Sequence, residues 1–90
     1  MTTVFVLHRV GDYGKWREVY DSAREMQNAG GVLEQAVFRT EGDPDNVLVM
    51  HRFESSGEAH SYFENPALAE AIREAGVDEA TVRLEFYEEP

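Results

Sequence analysis

The sequence predicts an α+β fold of the form βαββαβ, a single antiparallel sheet with two helices on one face. Three observations predict it. Strand-like and helix-like segments alternate in that order along 90 residues. The first and third strand segments repeat each other almost residue for residue, and each is followed by a helical stretch that closes on glycine. At 42% hydrophobic and 11% aromatic, residues 1–90 read as a single globular domain, small enough that its own core leaves it only marginally stable.

Thr3 to Val10 (TVFVLHRV) is rich in β-branched residues, which pack well on a pleated surface, and reads as a strand. Asp12 then caps a helix in which Tyr13, Trp16, Val19, Tyr20, Ala23 and Met26 recur at steps of three or four. Glu18, Asp21, Arg24 and Glu25 fall on the opposite, outward face. Gly30-Gly31 ends the helix, because glycine tolerates the left-handed backbone of a C-terminal cap. Val32 to Thr40 is a second strand, and Glu41 to Asn46 (EGDPDN), dense in turn formers, makes a hairpin to a third strand at Val47 to Glu54.

Ser55-Ser56-Gly57-Glu58 fits a capping box that opens a helix through Ala59, Tyr62 and Phe63. Asn65-Pro66 breaks it, since proline cannot continue the hydrogen-bond ladder but suits a new first turn. The helix resumes with Leu68, Ala69, Ile72 and Ala75 inward and closes at Gly76, and Thr81 to Tyr87 is the last strand.

The repeat supplies the topology. Val4–Val10 (VFVLHRV) matches Val47–Phe53 (VLVMHRF) 43 residues later, and Ala29-Gly30 is echoed by Ala75-Gly76 46 residues later. Two βαβ-like halves of this kind make a ferredoxin-like fold with strand order 4-1-3-2, the first and third strands side by side. Side chains alternate along a strand, so Val4, Val6, His8 and Val10 share one face, as do Val47, Val49, His51 and Phe53. If the halves superimpose, His8 and His51 are lateral neighbours about 5 Å apart at the backbone.

The other face of these strands carries Phe5, Leu7, Leu48 and Met50, so both faces are apolar. Two helices cover one of them. A second copy of the sheet is the simplest cover for the other, which predicts an isologous homodimer. Arg9 and Arg52 end this second face, within reach of Glu34 or Glu85.

Composition excludes several functions. Eight basic against eighteen acidic residues give a net charge of −10, which repels phosphate backbones and anionic lipid; neither nucleic acid nor a membrane surface is an expected partner. Cysteine is absent, so disulfides, thiolate nucleophiles and Cys-based metal sites are excluded. With no basic-plus-apolar leader and no apolar run of membrane-spanning length, the expected location is cytoplasmic.

The VFVLHRV strand, the D-Y-x-x-W-R-x-x-Y helix opening at Asp12 to Tyr20, the HRFES segment at 51–55 and the F-x-x-P-x-L-x-x-A-I stretch from Phe63 to Ile72 together resemble the dimeric α/β-barrel superfamily, specifically its antibiotic-biosynthesis-monooxygenase-like group. The resemblance covers nearly the whole chain. It implies a dimeric α/β barrel with a pocket between helices and sheet, on the histidine face. It also implies a range of activities: cofactor-free monooxygenases and cyclases of aromatic polyketides, haem-degrading oxygenases and muconolactone-type isomerases. By the same resemblance His8 matches a strand position where haem-degrading members carry asparagine, and Phe53 one where a tryptophan often lines the site. Those members bind haem iron through a histidine on the second helix, where this chain has Ile72; that departure argues against haem.

The expected chemistry rests on His8 and His51. A neutral histidine on an apolar face can act as acid, base or hydrogen-bond partner near neutral pH, and an adjacent pair can share a proton. The alternative is a pair of core histidines satisfied by each other or by backbone, matched only because the strand is duplicated. Two imidazoles also suit a metal, but no third ligand is evident and His60 reads as a surface residue, so no metal or other cofactor is expected. Trp16, Tyr20, Tyr62 and Phe63, with Phe53 and Ile72, are core residues or the walls of a pocket for a flat hydrophobic molecule. The expected function is a cofactor-independent monooxygenase-like or cyclase-like enzyme acting on an aromatic or polyketide-type small molecule, the alternative a non-catalytic ligand-binding module.

Overall fold

A computed structural model describes all residues, Met1 to Pro90. The chain runs β1 (Thr2–Val10), α1 (Tyr13–Ser22), α2 (Arg24–Ala29), β2 (Glu34–Thr40), β3 (Asp43–Phe53), α3 (Ser56–Phe63), α4 (Pro66–Glu74) and β4 (Val77–Glu88). The four strands form one antiparallel sheet in the order β2-β3-β1-β4, the ferredoxin-like arrangement.

The local chemistry behaves as the side chains require. The Asp12 carboxylate accepts the Lys15 N–H at 3.3 Å and starts α1, and Ser55 Oγ accepts the Glu58 N–H at 3.2 Å and starts α3. Asn65 caps α4 by accepting the Ala67 N–H at 2.9 Å, with Pro66 in the first turn. The first helical stretch is not continuous: it breaks at Ala23, which leaves helical geometry between α1 and α2. The left-handed position after α2 falls on Gly31 (φ 91°), while Gly30 stays right-handed and is needed for space, since a Cβ there would strike the Tyr62 ring.

Three strand starts differ from the sequence reading by more than one residue, and the first is that β2 begins at Glu34 rather than Val32. The β2–β3 hairpin turns on Glu41-Gly42 alone, and Pro44 sits in an irregular stretch where the register shifts between Arg39 and Thr40. A bulge tolerates a residue without an N–H, so the turn formers are absorbed into the strand. β4 begins at Val77 rather than Thr81; its polar start hid it, and a register shift opposite Leu7 to Arg9 lets Thr81 Oγ1 accept the Arg9 N–H at 2.9 Å.

The core lies between the sheet and the helices, built on Val4, Val6, Val10, Val47, Val49 and Phe53 from the sheet and Trp16, Ala59, Tyr62 and Ala75 from the helical layer. α4 contributes no buried residue: Leu68 and Ile72 are half-buried, and Ala69 is exposed rather than inward. On the sheet's other face Phe5, Leu7, Leu48 and Met50 are half-buried, while Phe38 is 53% and Tyr87 50% exposed, so a broad apolar surface lies open. Arg52 is held on that face by Glu34 and Glu89, both at 2.9 Å. Arg9 pairs with Asp43, at 2.7 and 3.0 Å, rather than with Glu34 or Glu85, because its partner comes from the start of β3.

Candidate functional site

The expected side-by-side histidine pair does not form. Val6 pairs directly with Val49, which are equivalent positions of the two repeats, so the local two-fold of the antiparallel β1–β3 ladder passes between them. Each histidine lies two residues beyond that axis, in opposite directions. His8 therefore pairs with Val47 and His51 with Val4. Four residues of strand rise and one strand spacing put the two about 14 Å apart at the backbone, on one face. Direct proton sharing between them is excluded.

What the fold does is place them at two ends of one space. A cavity of about 80 Å³ between the sheet and helices is lined by both histidines, by Val6 and Val49 between them, and by Trp16, Tyr20, Phe63, Leu68, Ile72, Val77 and Val82. A second, of about 60 Å³, shares Trp16, Tyr20, His51, Leu68 and Ile72 with it and reaches on to Gln27, Tyr62, Ala71 and Ala75. Phe53 lines neither. It is fully buried, edge-on to His51 and packed under Tyr62 and Phe63 at 5.7 and 6.1 Å between ring centres.

The two imidazoles are each 4% exposed but differ in partners. His51 Nε2 lies 3.0 Å from the Tyr20 hydroxyl, and that hydroxyl donates to Gln35 Oε1 at 2.6 Å. A hydroxyl whose single proton goes to Gln35 can only accept from His51. With the Gln35 amide oriented so that Oε1 faces Tyr20, Nε2 carries the imidazole proton and Nδ1 is a bare acceptor. That Nδ1 is buried with no hydrogen-bond partner, and so are both ring nitrogens of His8. Buried polar atoms of this kind ordinarily find partners; here both histidines line the cavity while their unpartnered nitrogens stay covered, and the cavity wall is apolar.

Burial sets the charge states. It pushes His51 down to about 4. His8 is lowered by burial as well, opposed by the nearby Val6 carbonyl, which makes no hydrogen bond of acceptable geometry. Both rings are therefore neutral at physiological pH. Burial, with Tyr62 adding to it, raises Tyr20 to about 12, and burial raises Tyr62 to about 12, so both phenols stay protonated. Trp16 stacks on Tyr20 with ring centres 4.9 Å apart and touches His8 at 5.5 Å, forming one aromatic wall along the cavity.

Among the residues singled out from sequence, His8, His51, Trp16, Tyr20, Phe63 and Ile72 come together around the larger cavity and Tyr62 around the smaller. The third histidine, His60, is exposed and lies flat on Phe86 at 4.1 Å. No group of three or more His, Cys, Asp or Glu stands together as a metal site. Sequence reasoning missed Gln35, Gln27, Leu68 and Ala71. Gln35 had a signal: it opens the alternation Gln35, Val37, Arg39 on the edge strand, a polar side chain on the helix side of the sheet.

A four-stranded ferredoxin-like sheet with its helices on one face is the fold of solved structures assigned as antibiotic biosynthesis monooxygenases. No protein-family model matches the sequence, and no curated protein matches it. Among solved structures, a protein assigned as an antibiotic biosynthesis monooxygenase from Bordetella bronchiseptica is similar over 99% of this chain and 96% of its own, with TM-score 0.82 and 12% identity. One of the same assignment from Deinococcus radiodurans is similar over 100% and 93%, with TM-score 0.75 and 14% identity. SnoaB, a cofactor-independent oxygenase from Streptomyces nogalater, is similar over 99% and 91%, with TM-score 0.76 and 10% identity. At these identities the likeness is one of fold.

Proposed function

We propose that this chain is a cofactor-independent monooxygenase-like enzyme for a hydrophobic aromatic or polyketide-type small molecule, with His51 as proton acceptor. The observation that carries it is His51, a buried imidazole that lines an apolar cavity, with Nδ1 free of any partner while Tyr20 holds the ring's other nitrogen. The fold shared with a cofactor-independent oxygenase supports the same reading. A phenolic or enolic proton passes to Nδ1; the anion left behind adds dioxygen at a ring carbon that bears hydrogen, the peroxide takes the proton back from Nδ1, and loss of water leaves one oxygen as a carbonyl, the substrate supplying both electrons. His8, too distant to exchange a proton with His51, contacts the far end of the substrate.

Magnitudes limit the substrate. Against an imidazole at about 4, an ordinary phenol at about 10 gives up its proton uphill by about 8 kcal/mol. A polyhydroxylated ring or vinylogous acid as acidic as a carboxyl group, about 4.3, transfers it near balance. The attraction between the new imidazolium and the anion favours transfer further in a site closed to water.

The second reading, a ligand-binding module without turnover, is favoured by that same low basicity. Oxygen uptake decides between them. With polyhydroxylated naphthalenes and a chelator present, wild type should consume oxygen and His51→Phe should do so at least about a hundredfold more slowly. Saturable binding with no uptake by wild type would leave the module. Uptake that survives His51→Phe would remove His51 from the chemistry.

The assembly proposed is a homodimer through the open sheet face. That face presents Phe5, Met50, Phe38 and Tyr87 around a groove rimmed by Glu34, Arg52 and Glu89. Opposite charges at the rim let the surface meet its own copy.

A further inference from the structure

We propose that α4 is a hinged lid, turning on Asn65-Pro66 and Gly76, and that the two cavities beneath it are parts of one chamber that takes an aromatic ring only when the lid lifts. This rests on the proposed reading of the cavities as an aromatic-ligand site, and it adds how that site is filled. Size poses the problem. An apolar cavity of about 150 Å³ holds a single benzene ring, whereas these two measure about 80 and 60 Å³. Neither takes even one ring as it stands, so a wall must give way.

The walls are not equally held. Val6 and Val49 pair directly in the central strands of the sheet. Trp16 is stacked between Tyr13 and Tyr20, with ring centres 5.6 and 4.9 Å away, and Tyr20 is tied to Gln35 and His51. Tyr62 is seated against Gly30, with no space for a Cβ between them. α4 alone has no such anchor. It buries none of its residues, and its side-chain hydrogen bonds are the Asn65 cap and the Arg73–Glu70 pair at 2.6 Å, both local. No backbone hydrogen bond joins residues 66–75 to another strand or helix beyond the turn at Asn65. An element with few buried contacts and no polar tie is the first to open.

Both ends of α4 suit a hinge. Pro66 has no N–H, so the hydrogen-bond ladder of α3 stops there, and Gly76 adopts φ 75° with open space around it. The Gly11 N–H donates to Gly76 O at 3.3 Å and fixes that pivot to the end of β1. Leu68 and Ile72 line both cavities, so lifting α4 withdraws the side chains that narrow each and joins the two.

The chain has no cysteine, so a single introduced thiol reports its own exposure. Val49 and Val47 share one face of β3 and are 3% and 0% exposed, but only Val49 lines a cavity. Val49→Cys and Val47→Cys are treated with iodoacetamide at several low urea concentrations, and labelling is followed by mass spectrometry. Val49→Cys should react at least about tenfold faster than Val47→Cys and with less urea dependence, because lid opening exposes far less surface than unfolding. Equal labelling of the two thiols overturns the lid. Excess 2-naphthol should slow the labelling of Val49→Cys at least about tenfold by occupying the chamber. If Val49→Cys reacts fast and 2-naphthol leaves it unchanged, the lid stands and the aromatic-ligand reading falls. Should either variant not fold, hydrogen exchange of the wild type decides. The buried Ala75 N–H, bonded to Ala71 O at 2.9 Å, should exchange at least about tenfold faster than the amides of β1 and β3. One common rate for all of them overturns the lid.

Discussion

Replacing His51 by Phe should remove a pH dependence that wild-type stability shows between about pH 6.5 and pH 4. An unburied imidazole takes its proton at about 6.5, whereas burial holds His51 to about 4. Between those values the unfolded chain binds a proton that the folded chain refuses. Stability therefore rises with pH across that window and is lost as acid is added, the loss being complete below about pH 4. The gap between the two values corresponds to about 3 kcal/mol, and with the ring only 4% exposed, solvent screening removes little of it. His8, also lowered by burial, contributes with the same sign. Asp43, lowered by its hydrogen bond to Arg9, likewise loses its contribution as pH falls. Both persist in the variant and cancel in the comparison. At neutral pH the variant loses the Tyr20 hydrogen bond but also the orphaned Nδ1, which leaves an offset of about 1 kcal/mol of either sign. The quantity to follow is thus the difference between the two proteins as pH changes. Urea unfolding at fixed protein concentration, at several pH values from about 7.5 to about 4, measures it. Curves that stay parallel within about 0.5 kcal/mol would mean that the imidazole is solvated in the folded protein, and the assignment of His51 as a buried neutral acceptor would be lost.

Leu48→Asp should split the proposed homodimer or unfold it, because a carboxylate buried unpaired in the proposed sheet–sheet contact costs several kcal/mol; light scattering reads the mass, and a monomeric wild type at micromolar concentration refutes the assembly. Haem should show no saturable, histidine-ligated Soret band on titration, since α4 carries no histidine and has Ile72 at the position that the resemblance matches to the haem-degrading members' ligand. Gly30→Ala should destabilise by about 1–3 kcal/mol in thermal melts, because its Cβ is driven into the Tyr62 ring; an unchanged melting temperature would show that the ring moves aside freely.

The sequence was most informative where local chemistry decides. Asp12, Ser55 and Asn65-Pro66 mark helix starts through interactions within three residues, and each works as its side chain dictates. The duplicated strand gave the sheet order, because matching halves must put their matching strands together. It misled about the histidines because equality of sequence does not specify the direction of the symmetry axis. A two-fold normal to the sheet carries His8 onto His51 across the Val6–Val49 pair and so moves the two apart. The Tyr20–Gln35–His51 chain was illegible for a different reason: it joins α1, β2 and β3, and nothing local records a contact made only when three elements pack. The break at Ala23 was hidden because alanine is the best helix former and carries no stop signal.

The helix that roofs the cavity separates two tasks that most small proteins must perform with the same atoms. α4 buries none of its residues, yet Leu68 and Ile72 shape both cavities and Ala71 the smaller, while the valines of β1 and β3 hold the sheet to the helical layer. Enlarging or shrinking those three side chains changes what can enter at little cost to folding. A duplicate of this gene thus has a short segment, bounded by Pro66 and Gly76, in which to drift toward new ligands while the scaffold beneath is inherited unchanged.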